Sequence, residues 1–67
     1  MTGRIIRLVD HDQLGAITAD DGEDYLFHAS AIRHGTFKEL SLGTPVSFEP
    51  ISGPQGSRRA AAVRVLK

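Results

Sequence analysis

The sequence predicts an all-β fold, a small closed or partly open barrel of five short antiparallel strands, on three observations. Extended runs rich in β-branched and aromatic residues recur along the chain, with almost no helical period between them. Asp21-Gly22 supplies a strong hairpin signal between two of those runs. One connection, after the third run, is longer than the others, as in a small barrel. Barrel closure removes sheet edges that would otherwise pair with other chains.

The first strand is expected over Arg4-Ile5-Ile6-Arg7-Leu8-Val9 and ends at the polar break His11-Asp12-Gln13. Its direction of alternation is not settled, because Ile5 and Ile6, then Leu8 and Val9, are apolar on both faces. Gly15 to Ala19 forms a second strand, the acidic stretch Asp20-Asp21-Gly22-Glu23 a turn, and Asp24 to His28 a third strand. Tyr25 and Phe27 share one face of that strand, Leu26 and His28 the other. Ser30-Ala31-Ile32 is a single turn, and Arg33 to Gly43 the long connection. A fourth strand starts at Thr44-Pro45, alternates from Val46 to Glu49 and is ended or kinked by Pro50, since proline has no N–H for a sheet ladder. Ser52 to Ser57 is a loop, and Ala60 to Leu66 a fifth strand. The expected core is Ile5, Ile17, Tyr25, Phe27, Ile32, Val46, Phe48 and Val63.

Length and composition narrow the function. At 67 residues the chain is read as a single domain, 1–67. A domain of this size buries only about 60% of its unfolded surface. There is no cysteine, hence no disulfide, which fits a cytoplasmic setting. Neither a secretory leader nor an apolar run near the ~20 residues of a membrane span is visible, so no membrane partner is expected. Eight basic and eight acidic side chains cancel. Nucleic-acid affinity would therefore come from a local patch or from stacking, not from a basic excess. His11, His28 and His34 match no zinc spacing and the acidic turn lacks a calcium-loop pattern, so neither a metal nor another cofactor is expected. No serine sits in a recognisable nucleophile-and-base arrangement, and the chain is read as a binding module, not an enzyme.

The order and spacing of these segments resemble the bacterial cold-shock proteins. Asp12 to Ile17 occupies the position of a KGFGFI motif, Tyr25 to Ala29 that of VFVHF, and Ser30-Ala31-Ile32 that of SAI. Phe37, Leu40, Gly43 and Val46-Ser47-Phe48 fall on a later segment of that family, and Ala60 to Val63 on its closing strand. The resemblance implies a five-stranded OB-type barrel that binds single-stranded RNA or DNA by stacking bases on rings of the first three strands. Here most of those rings are absent. Arg7 stands at the tryptophan position, Leu14 and Ala16 at the ring positions of the first motif, and Leu26 and Ala29 at those of the second. His28 and Phe37 remain.

Base–aromatic stacking is worth roughly 1–3 kcal/mol per base, so the resemblance implies a site of reduced affinity and low sequence preference. The expected contacts are Arg7 and His28 on bases, Leu14 and Leu26 as apolar support, Phe37 as a side wall and Arg59 on a phosphate. Arg7 has a bland alternative as a solvated arginine. Phe37 has one as a ring tucked onto Leu40 and Leu42, and His28 as a partly exposed strand-end histidine. A rival reading from another class makes Ile6, Leu8, Leu14 and Leu26 an aliphatic patch that docks a partner protein or a second copy as a homodimer. A further alternative makes the chain one domain of a longer protein.

Overall fold

Short extended runs separated by polar or glycine-containing breaks give a strand-and-turn chain. The computed structural model, which describes residues 1–34, 36–53 and 57–66, folds these runs into β1 (Thr2–Val9), β2 (Leu14–Ala19), β3 (Asp24–His28), β4 (Ile32–His34), β5 (Pro45–Ser52) and β6 (Arg58–Val65). Two single 3-10 turns, Ala29–Ala31 and Phe37–Glu39, complete the described elements. β4 is a short addition within the long connection; the other five strands form the barrel.

β2 pairs antiparallel with β1 and β3, β1 with β5, and β5 with β6. The ring closes where β6 meets β3 in parallel, Leu26 opposite Arg59. This is the closed five-stranded OB-type barrel that the sequence leads one to expect.

The β2–β3 turn follows from its residues. The Gly22 N–H donates to Ala19 O at 2.9 Å, the Ala19 N–H to Glu23 O at 2.8 Å, and Gly22 takes φ +85°. This is a three-residue loop that needs glycine at its left-handed position. Gly15 has a different duty, because a Cβ there would run into the Phe27 ring.

Ile5, Ile17, Val46 and Val63 are the most deeply buried side chains. Around them Tyr25 stacks obliquely on Phe48 at 5.1 Å between centroids, and Phe27 on Phe37 at 6.4 Å. Of the expected core, Ile32 alone is only half-buried, since it lies on the short β4 and packs against the cluster from its margin. Phe37 and Leu40 join the core instead. A capping arrangement holds that segment: the Glu39 carboxylate accepts from the Thr36 backbone N–H at 3.0 Å and from the Thr36 hydroxyl at 3.1 Å.

Two irregularities correct the sequence reading. β5 does not end at Pro50 but continues to Ser52, with Pro50 opposite Ala60. Phe48 still exchanges hydrogen bonds with Met1 on the β1 side; beyond it the strand is paired with β6 alone among the described residues, so a residue lacking an N–H is tolerated on the open side. On β6 a bulge lies opposite Phe48, where the register steps from Ser47↔Arg64 to Glu49↔Ala61. Ala62 sits in that bulge with φ +50°. The loop expected over Ser52 to Ser57 falls partly outside the described residues, as do Gly35 and Lys67; Gly53 N–H donates to Ser57 O across it at 2.7 Å.

Candidate nucleic-acid interface

The outer face of β1–β3 is set by register. A bulge in β1 lies between Ile5, opposite Ile17, and Arg7, opposite Ala16. Ile6 is the extra residue, and the bulge turns both Ile6 and Arg7 outward while Ile5 stays buried. This resolves the ambiguity of a strand that is apolar on both faces. It also corrects the rival aliphatic patch, because Leu8 falls opposite Gly15 and packs against the core.

Two outward rows result. Arg7, Ala16 and Leu26 stand side by side across the three strands, and Val9, Leu14 and His28 form the next row. Arg7 and His28 are exposed, and Leu14 and Leu26 expose 42% and 58% of their surface, large values for leucine. Ala16 lies between the longer Arg7 and Leu26 and is itself covered.

Leu14, Leu26, His28 and Arg59 converge on one shallow cleft of about 300 Å³ along the β3–β6 closure. Arg7 lies beside it, across Ala16. Ile51, which sequence reasoning missed, forms another wall, placed there by its pairing opposite Arg59. The available signal was a β-branched residue just past Pro50, hidden by ending the strand at the proline.

Phe37 is not where the interface reading puts it. It is a core residue, 6% exposed, with its ring against Phe27, so it does not display a free ring as a side wall. The physical reason is the capped 3-10 turn, which tucks Phe37 and Leu40 inward together. Its edge borders a separate hollow of about 560 Å³ with Leu8, Asp10, Gln13 and Lys38.

His28 has a fixed chemistry. Its Nδ1 accepts the Ser30 backbone N–H at 3.1 Å, with the Ser30 hydroxyl also at 3.1 Å, so the ring caps the Ala29–Ala31 turn. A nitrogen that accepts cannot carry the proton of a neutral imidazole, so Nε2 holds it and is the donor. The sequence reading found His28 but not its cap.

The two ends of β3 differ in charge. At one end Asp24 accepts from the Thr18 hydroxyl at 2.8 Å, and Asp21 accepts from the Glu23 N–H at 2.9 Å and from the Tyr25 hydroxyl at 3.3 Å. Glu23 meets Arg58 at 3.4 Å, both half-exposed, a pairing worth little in water. Burial, then the neighbouring Asp21 carboxylate, pushes the Tyr25 phenol above its ordinary value. Asp21, Glu23 and Asp24 make this end acidic, while Arg7 and Arg59 stand on either side of Ala16 and Leu26, away from it. Among the described residues no group of acidic or histidine side chains is placed to hold a metal ion, and no helix is long and apolar enough to cross a membrane.

A family model described as the 'Cold-shock' DNA-binding domain matches residues 1–66. The cold shock-like protein CspC of Bacillus cereus is 32% identical over 65 residues, covering 97% of this chain and 100% of that protein. The cold shock-like protein of Thermotoga maritima is 37% identical over 67 residues, covering all of both. The cold shock protein CspC of Bacillus subtilis is 42% identical over 53 residues, covering 79% of this chain and 76% of that protein. Barrel, motif frame and these matches agree: the chain belongs to the cold-shock domain family, whose members bind nucleic acids and are not enzymes.

Proposed function

We propose that this chain binds single-stranded RNA or DNA across the outer face of β1–β3, with reduced affinity and low sequence preference, as one domain acting in the cytoplasm. The observation that carries the reading is the joint outward presentation of Arg7, Leu14, Leu26 and His28, running into Arg59 at the barrel closure. Arg7 brings a planar guanidinium that can stack on a base and reach a phosphate. His28 brings a ring with a donor at Nε2. Leu14 and Leu26 offer apolar contact without a ring's area, which is the reason for the reduced affinity.

A titration with oligouridylate, followed on backbone amides, tests this. Shifts at Arg7, Leu26, His28 and Arg59, with affinity falling as salt rises, are the expected result. An unshifted spectrum at high micromolar oligonucleotide rejects the reading.

A second reading is favoured by the aliphatic character of the same face, where Ile6 is 47% exposed beside Leu14 and Leu26. Such a patch suits docking of another protein or a second copy. Concentration-dependent sedimentation without oligonucleotide binding would select it.

A further inference from the structure

The cleft at the barrel closure differs in kind from the platform beside it. Among the described residues the barrel closes there through one pairing, Leu26 with Arg59, so the surface is indented, not flat. Its walls are the aliphatic side chains of Leu14, Leu26 and Ile51, and Ala31 is small enough to leave depth between them. Two polar residues, His28 and Arg59, share this apolar lining, and the Nδ1 of His28 is already taken by the Ser30 N–H. Enclosure by apolar walls with a few placed polar groups is the usual form of a small-ligand site, and about 300 Å³ lies at the lower end of the usual range. The second hollow lacks this pattern. Asp10 and Lys38 both line it, and a phosphate entering there would meet a carboxylate.

We propose that the β3–β6 cleft is a single-nucleotide pocket. One unstacked base enters among Leu14, Leu26 and Ile51, accepts a hydrogen bond from His28 Nε2–H, and leaves its phosphate at Arg59. This deepens the single-strand reading and rests on it. Where a ring platform gains from stacking a run of bases, this surface gains from enclosing one. Ser30 is a positioning residue in the arrangement: its backbone N–H holds His28 Nδ1 as an acceptor and so keeps the proton on Nε2. Ile51 becomes a binding residue on a strand outside the β1–β3 face.

The test is a methyl-detected titration with uridine 5′-monophosphate, with ribose 5-phosphate as the probe lacking a base and a uridine hexanucleotide run in parallel. Saturable shifts at the Leu14, Leu26 and Ile51 methyls are expected with the mononucleotide and absent with ribose 5-phosphate. Ala31→Leu, which fills the cleft with neither charge nor ring, is expected to weaken mononucleotide binding by about tenfold or more. If the hexanucleotide shifts Arg7 and Leu26 while the mononucleotide leaves Ile51 unmoved, the pocket is overturned and the single-strand reading stands. Equal shifts from ribose 5-phosphate overturn it too, since the site would then be an anion site alone. If the hexanucleotide also leaves every resonance unmoved, both the reading and the pocket fall.

Discussion

The inner and outer faces of β1–β3 are built from the same strands and alternate residue by residue, yet they obey different rules. Inward, Ile5, Ile17, Tyr25 and Phe27 are all buried. They interlock with Val46, Phe48 and Val63 from the other half of the barrel. Outward, Arg7, Leu14, Leu26 and His28 meet solvent. A change inside is felt by every neighbour in a close-packed core. A change outside alters only what the barrel displays. Arginine and leucine can therefore stand on the outer face with little cost to the fold. On the proposed function, affinity for bases, not folding, is what those positions set.

The largest effect expected to separate the two faces is on stability. Ile17→Ala should cost about 2–5 kcal/mol, and Leu14→Ala, three residues away on the same strand, under about 0.5 kcal/mol. Urea unfolding measures both, and equal losses would break the distinction. Next comes binding. Arg59→Ala and Arg7→Ala should each weaken oligonucleotide binding, and removing one phosphate interaction should flatten the log–log salt slope by about 0.7. An unchanged slope would remove that residue from the phosphate path.

A smaller effect is expected from Tyr25. Its folded-state value is raised above the ordinary 10.0, so the neutral phenol is the form that folding favours. That stabilisation is complete below the unfolded value and is lost as pH rises through the folded one, so the urea midpoint should fall once pH passes the ordinary 10.0. Tyr25→Phe should flatten the fall. The smallest change is expected at the β6 bulge. Ala62 holds φ +50°, a conformation that costs a residue with a Cβ about 1–2 kcal/mol, partly offset by glycine's greater unfolded-state entropy. Ala62→Gly should therefore raise stability by under about 1 kcal/mol, and a loss would show that the Ala62 methyl packs more than it strains.

Much of the barrel was legible in the sequence because period-2 alternation and turn residues carry local information. The Asp21-Gly22 hairpin and the inward set Ile5, Ile17, Tyr25, Phe27, Val46, Phe48 and Val63 follow from that pattern. What escaped depends on long-range register. The β1 bulge hid which way Arg7 points, and only the Arg7↔Ala16 pairing decides it. Ending β5 at Pro50 left Ile51 unnoticed, because the open side of that strand is a property of the assembled sheet. Family position assigns Phe37 to the interface, while its burial comes from the Thr36–Glu39 cap and the room left by Gly15 for Phe27. Of the interface residues, Leu14, Leu26, His28 and Arg59 meet at one cleft and Arg7 lies beside it.

Restoring rings tests the central claim most directly. Leu14→Phe with Leu26→Phe places two aromatic side chains at exposed positions of the outer face without touching the core. The account predicts oligonucleotide binding stronger by about 1–3 kcal/mol for each base that gains a ring, with the urea midpoint nearly unchanged. Unaltered affinity from a folded double variant would contradict the claim that this face is the binding surface.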